Sequence, residues 1–321
     1  MDRRGRIANV FSVAMIALAL AVAAAWALAV QVPFLALPGT RVARIMLPVA
    51  LPHDLPPVAG ARDASLPLVM IDPGHGGFDP GARTPAMDEK NLTLALALAL
   101  RDQLLADGGV RVAMTRQDDS FVALPERAEA ARRLGADLLL SVHADSAGVE
   151  NARAGEIAGA TIYTLSERAS DAAAQRFAAR ENAADRINGQ ALAGRSDAVN
   201  AILVELSQQR TQARSNRLAA LIEEQGRGRL VFHPQPRKSA ALEVLRAPDV
   251  PSVLFESGYI TNARDVARLA SGPGRAEFAQ VMARAIRLYF ARERLEAARD
   301  GEGAAGATPS ASPIASPPSA P

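Results

Sequence analysis

Two of the chain's four histidines and two of its glutamates stand where an apolar run gives way to a loop or helix. His75 lies in IDPGHGGFDPGA, just after the apolar run SLPLVM. His143 stands at the end of ADLLLSVHAD, Glu256 falls late in VPSVLFESG, and Glu89 opens the long stretch that follows the first loop. Two imidazoles and a carboxylate supply three ligands and leave a fourth position open, which is the set of a catalytic zinc centre. Such a centre makes a bound water acidic near neutral pH and polarises a carbonyl. A further carboxylate is then needed to take a proton and hand it to a leaving amine, and Glu256 is available for that. Each residue also has a plainer reading. His75 is then a surface-loop histidine, Glu89 a first-turn acid suited to the helix dipole, His143 a satisfied core histidine, and Glu256 a strand-end acid facing water. His53, in a proline-rich stretch, and His233, in the loop VFHPQP, are read as structural. Asp72 and Asp79 are read as bracing the glycine loop by hydrogen bonds.

Bringing such distant residues together requires a sheet. SLPLVM, VRVAMTR, ADLLLSVHAD, GATIYTL, AALEVL and VPSVLFESG read as strands, several of them continuous apolar runs. DEKNLTLALALALRDQLLADGG reads as a helix with Asp88 as its N-cap and the Gly108–Gly109 pair as its stop. LPERAEAARRLG begins with Pro125 near the first turn, and RAEFAQVMARAIRLYFARERLEA carries Phe278, Met282, Ile286 and Tyr289 on one stripe. Strands alternating with helices predict an α/β fold: a twisted, mostly parallel sheet with helices on both faces. In such sheets ligands bind at the carboxyl ends of the strands, where His75, His143 and Glu256 fall and where the helix opened by Glu89 begins.

The chain has 321 residues, 49% of them hydrophobic, a net charge of +2 and no cysteine. A sizeable core is therefore possible, thiolate metal sites are excluded, and no nucleic-acid partner is expected. Arg3, Arg4 and Arg6 precede an uncharged span from Ile7 to Val30, long enough to cross a bilayer. The arginines favour a cytoplasmic N-terminus, so the body is exported: anchored in the inner membrane, or released after signal cleavage. Residues 1–32 are thus an anchor or signal segment, 33–63 a proline-rich linker, 64–298 a folded body, and 299–321 a disordered tail. Within the body, 166–226 reads as a helical insertion broken around NGQALAGRSD.

IDPGHGGFDPGA, EKNLTLALA, LLLSVHAD and VPSVLFESGYITN, in this order and spacing, resemble the zinc-dependent N-acetylmuramoyl-L-alanine amidases of bacterial cell walls. The resemblance spans about Leu66 to Phe290. It implies that His75, Glu89 and His143 bind Zn2+ and that Glu256 is the catalytic acid/base. The substrate it implies is peptidoglycan, cut at the amide between the lactyl group of N-acetylmuramic acid and L-alanine, in septal wall splitting at cell division. The long segment after His143 is similar to the insertion of division-associated members, whose helix occludes the zinc until a LytM-type activator displaces it. On ASDAAAQRFAARENAADRI, Ala173, Phe177, Ala184 and Ile187 form a stripe that includes Glu181, which would then cap the zinc. AVNAILVEL, with Val199, Ile202, Leu203 and Leu206 on one face, is the expected grip for the activator, or core packing.

Ser257, Tyr259 and Glu243 depart from the family's usual Thr, Phe and apolar residue. The wall-targeting β-domain of many division amidases has no counterpart in this sequence. Two other readings remain at this level: a catalytically silent peptidoglycan-binding protein on the same scaffold, and a zinc hydrolase of another amide.

Overall fold

The structure, a computed structural model, describes residues 55–85, 87–147, 154–183, 186–187, 190–191 and 201–306. The strands of the main sheet are β1 (Ala59–Gly60), β2 (Leu68–Pro73), β3 (Arg111–Met114), β4 (Leu138–Asp145), β5 (Ala160–Leu165), β6 (Phe232–Ala240) and β7 (Ser252–Tyr259). They form one sheet in the order β1-β3-β2-β4-β7-β5-β6. The β1–β3 and β7–β5 pairs are antiparallel, and the other four neighbouring pairs are parallel. The helices are α1 (Glu89–Asp107), α2 (Leu124–Arg133), α3 (Ala172–Glu181), α4 (Ala201–Gly226), α5 (Ala263–Ala270) and α6 (Gly272–Gly306).

The alternation of side chains along the central strands sorts the core into two layers. Val69 and Ile71 of β2, Leu138, Leu140 and Val142 of β4, and Val253 and Phe255 of β7 face one way. They pack against Leu92, Leu96 and Leu100 of α1, Leu218 and Ile222 of α4, and Phe278, Met282 and Ile286 of α6. Leu68, Met70 and Leu139 face the other way, onto Ala128 and Ala131 of α2. Leu254, on the same side, joins a cluster with Phe177 and Ala178 of α3. Strands buried on both faces cannot show polar alternation, which is why they read as unbroken apolar runs.

The structure refines several local expectations and overturns one strand assignment, for identifiable reasons. Asp88 takes the N-cap position of α1 but makes no side-chain cap bond; its carboxylate pairs with Arg83 instead, at 3.1 Å. AALEVL is not a strand: Glu243–Leu245 is a turn of 3-10 helix, and the strand lies upstream, through the supposed loop VFHPQP. That strand, β6, is the outer strand of the sheet, where Pro234 and Pro236 cost no central ladder bond. Its register with β5 shifts between Phe232 and Arg237, across the two prolines. His233 therefore sits on an edge strand rather than in a loop. The sheet also takes in Ala59–Gly60 from the segment assigned to a linker, and α6 runs to Gly306. No helix among the described residues is long and apolar enough to cross a membrane, and the Ile7–Val30 span lies outside them.

Candidate functional site

β2 and β4 run side by side; the loop leaving β2 carries His75, and β4 carries His143 within the strand, near its C-terminal end. His75 adopts φ 60°, the only non-glycine in the left-handed region among the described residues. A bulky residue held there stores strain, which persists only when its surroundings fix it. Here the Asp79 carboxylate lies 2.7 Å from His75 Nδ1, and Arg127 donates to the His75 carbonyl at 2.8 Å. The glycines flanking this turn are required by close approach. A Cβ on Gly74 would lie 2.3 Å from the His143 ring, and one on Gly81 would lie 2.5 Å from His75 and 2.6 Å from Glu89.

Glu89, 3% exposed, is held at the start of α1 by the amides of Ala82 and Ala144, which donate to its two oxygens at 2.8 and 2.9 Å. The same carboxylate faces both imidazoles: Oε2 lies 3.1 Å from His75 Nε2, and Oε1 lies 3.2 Å from His143 Nδ1. Glu181, the last residue of α3, brings its Oε2 to 3.5 Å from each of these nitrogens. His75, His143 and Glu181 each offer one atom within 4.8 Å of the others. His75, Glu89, His143 and Glu181 thus meet in one place.

The donor chemistry fits a zinc ion. His75 Nε2 is buried without a hydrogen-bond partner among the described residues, although the Glu89 carboxylate is close by. Its Nδ1 is fixed by a carboxylate, the usual support for an imidazole that binds metal through its other nitrogen. Two imidazoles with carboxylate oxygens are a borderline-hard set suited to zinc. Burial alone would lower the His75 pKa, but Glu89, Asp79 and Glu181 outweigh it and hold the imidazole well above its ordinary value. Glu89 is likewise held well below the usual carboxylate range, since the two histidines overcome the cost of its burial.

Glu256 lies on the neighbouring strand, in register with His143 of β4 and with Thr161 of β5. It is fully buried, and neither carboxylate oxygen has a hydrogen-bond partner among the described residues. Burial, and then the carboxylates of Asp145, Glu89 and Glu181, raise its pKa well above the ordinary range, against the pull of Arg180. A carboxyl in this setting holds a proton more readily than an exposed one, which suits a proton carrier.

Four supporting residues carry no signal in the sequence reading. Arg127, from α2, is buried against Asp72 at 2.8 Å and donates also to the carbonyls of Pro73 and Val122. Arg116 donates to the carbonyls of Pro73, Gly74 and Lys90. Together they hold the histidine loop by its backbone, a role that an arginine in a charged helix or after a strand does not announce. Asp145 sits two residues beyond His143 and is bonded at 2.7 Å by Arg180 of α3. Asp79 braces the loop as expected, through Gly81 N, and additionally orients His75. Asp72 is buried, where it also accepts hydrogen bonds from Thr115 and Ser141.

On α3 the buried residues are Ala174, Phe177, Ala178 and Glu181. The stripe therefore contains Ala174 and Ala178 in place of Ala173, which is exposed; Ala184 and the side chain of Ile187 lie outside the described residues. The same holds for Val199 and for the side chains of Ile202, Leu203 and Leu206. With Glu181 in position, a cavity of about 10 Å3 remains between His75, Asp79, Phe121, Val122, Leu124, Arg127, His143 and Glu181. That is room for one water at most.

Residues 69–287 match the family described as N-acetylmuramoyl-L-alanine amidase. The chain is 37% identical over 231 residues to N-acetylmuramoyl-L-alanine amidase AmiA of Salmonella typhimurium, covering 71% of this chain and 78% of that protein. It is 36% identical over 225 residues to AmiA of Escherichia coli, covering 70% of this chain and 76% of that protein. In fold it is similar to the solved structure of the N-acetylmuramyl-L-alanine amidase Ami1 of Mycobacterium smegmatis. The TM-score is 0.51 with 21% identity, over 70% of this chain and 97% of that one.

Proposed function

The chain belongs to the N-acetylmuramoyl-L-alanine amidase family, and from that premise we propose how its site works and how it is controlled. It is a peptidoglycan hydrolase that cleaves the amide between N-acetylmuramic acid and the L-alanine of the stem peptide. His75, Glu89 and His143 hold a zinc ion; the observation that carries this is the aim of both imidazoles and one fixed carboxylate at a common point. When bound, the metal supplies Lewis acidity that makes a water acidic and polarises the scissile carbonyl. Asp79 keeps His75 in the tautomer that presents Nε2. Glu256 takes the proton of the attacking water and delivers it to the amide nitrogen, so that L-alanine departs as a neutral amine. Its raised proton affinity suits the second half of that task.

Glu181 occupies the remaining side of the site when α3 is docked, so the resting enzyme is closed. The reading rests on its equal distance from the two histidines and on the lack of room for an amide beside it. A partner of the LytM type opens the site by binding the displaced helix. The uncharged Ile7–Val30 span keeps the body in the periplasm at the inner membrane, where it splits septal wall.

The test is digestion of purified peptidoglycan by the zinc-loaded chain and by its Glu181→Ala variant, with products identified by mass spectrometry. Free stem peptides and peptide-free glycan are expected. Cut cross-links or deacetylated sugars with intact muramoyl amides would replace the amidase by a hydrolase of another amide, and bound but uncut wall would make it a binding protein.

A further inference from the structure

Phe78 is 62% exposed, the only aromatic side chain among the described residues that faces solvent so fully. It lies three residues beyond His75 and next to Asp79, and its ring packs on Phe121 with centroids 4.1 Å apart and a tilt of 31°. The pair is rigidly mounted. Gly76 and Asp79 bond reciprocally across the turn, and Asp119 accepts from Gly77 N at 2.9 Å. Lys90 ties the two loops further, donating to the Gly77 carbonyl at 2.8 Å and to Asp119 at 2.6 Å. A Cβ on Gly76 would strike the Ser120 carbonyl at 2.2 Å, and one on Gly77 would approach Phe121 to 2.9 Å. Two loops pressed this closely do not exist to bury Phe78, because they leave it in water. One exposed ring alone signals nothing, but a ring stacked on a second and held by two braced loops beside the candidate site is placed to receive a ligand.

We propose that Phe78 and Phe121 form a platform for the pyranose ring of the muramoyl residue, holding the glycan strand beside the scissile amide. The proposal rests on the amidase reading and adds a recognition element to it. Phe121 is a wall of the small cavity between His75, His143 and Glu181, so whatever lies on the platform abuts the reaction site. In the substrate, the sugar is joined to the scissile carbonyl through a single lactyl group and so must lie near it. A pyranose offers a face of C–H groups to an aromatic surface without hydrogen-bonding atoms, while its edges remain free for polar contacts. The exposed carboxylate of Asp119, at the platform's edge, is placed to accept from ring hydroxyls. On the other side of the amide, L-alanine offers only one methyl, too little to cover two rings. The platform stands outside the space that Glu181 fills, so it is accessible with α3 docked and can hold glycan before the site opens.

The experiment measures binding of the full-length zinc-loaded chain to peptide-free glycan strands by calorimetry or sedimentation, with free stem peptide as competitor. Phe78→Ala is expected to weaken glycan binding about five- to tenfold, and Phe78→Trp to preserve it. On intact wall, the alanine variant should raise KM more than it lowers kcat. Because Phe78 is exposed, the melting temperature of Phe78→Ala should match the parent's. Unchanged glycan affinity in Phe78→Ala overturns the proposal. So does binding that free stem peptide abolishes and Phe78→Ala weakens only for peptide, since the platform would then belong to the peptide. Release of stem peptides by the Glu181→Ala variant, whose Phe78 is intact, reports on the amidase reading separately from either result.

Discussion

Glu256 and His143 are register partners on the parallel strands β7 and β4, and the alternation of each strand turns both side chains toward the face that α2 and α3 cover. The proposed metal-binding imidazole and the proposed proton carrier are thereby fixed by ladder hydrogen bonds rather than by loops. Glu256→Gln is nearly isosteric and removes only the transferable proton. It should leave stoichiometric zinc in place and lower turnover about 10²- to 10⁴-fold. Metal analysis with a turnover assay checks both halves; near-normal turnover removes Glu256 from the mechanism.

Asp79 touches no metal in the proposed site, yet it sets which nitrogen His75 presents. Asp79→Asn should weaken zinc affinity about 10- to 100-fold, as expected for loss of a supporting carboxylate, with the fold retained. Gly74→Ala tests the same site from its backbone side, because the new methyl would intrude on the His143 ring. Zinc titration of the two variants should show both losses, whereas parental affinity in either would mean that the shell does not orient the ligands.

Arg127→Met leaves the Asp72 carboxylate buried without its counter-charge. Removing one member of such a pair costs about 3–5 kcal/mol, so thermal unfolding should shift down markedly. The pH dependence follows from Asp72. Burial opposes its charge, but Arg127, Thr115 and Ser141 prevail and keep its folded pKa below the ordinary value. Its stabilising contribution is therefore complete above about pH 4 and fades as pH falls through the lower folded value. In Arg127→Met the carboxyl loses that support, and acid unfolding should begin at a higher pH than in the parent. Identical acid-unfolding curves would show that the pair does not stabilise the loop.

The sheet that frames the candidate site was legible because its strands are buried on both faces and its glycines sit where no side chain fits. β2, β4 and β7 stand out as apolar runs; His75 follows the first in a loop, while His143 and Glu256 lie within the C-terminal halves of the other two. β6 was hidden by two prolines that only an outer strand tolerates, and a short apolar run just after it imitated the strand that it replaced. Arg116 and Arg127 were invisible for a different reason. Their burial depends on carbonyls of a loop far away in sequence, 42 residues from Arg116 and 52 from Arg127. Glu181 was half-legible: helical spacing put it on Phe177's stripe, but the neighbouring residues of that stripe were off by one, since Ala174 and Ala178 are the buried alanines.

The docked position of α3 has a consequence for basal activity. Glu181 lies 3.5 Å from both imidazole nitrogens, and its neighbour Arg180 bonds Asp145 at 2.7 Å, so the end of the helix is pinned to the strand that carries His143. Phe177 and Ala178 anchor the turn before it in the cluster with Tyr163 and Leu254. Ordering the helix opposes these contacts, so the closed form need be favoured by only a few kcal/mol, which suits a switch that a partner can throw. If that preference is about 1.4 to 2.8 kcal/mol, abolishing it raises partner-free hydrolysis about ten- to a hundredfold. Glu181→Ala removes the carboxylate alone, and deletion of residues 170–188 removes the helix. Both should release stem peptides from wall faster than the parent without any partner, and the deletion should be the faster of the two because the contacts of Phe177 and Arg180 go with it. Arg180→Ala should fall between parent and Glu181→Ala, since it loosens the helix but leaves the carboxylate. Variants that fold, bind zinc and hydrolyse no faster than the parent would end the switch idea and leave α3 as a fixed wall of the substrate groove.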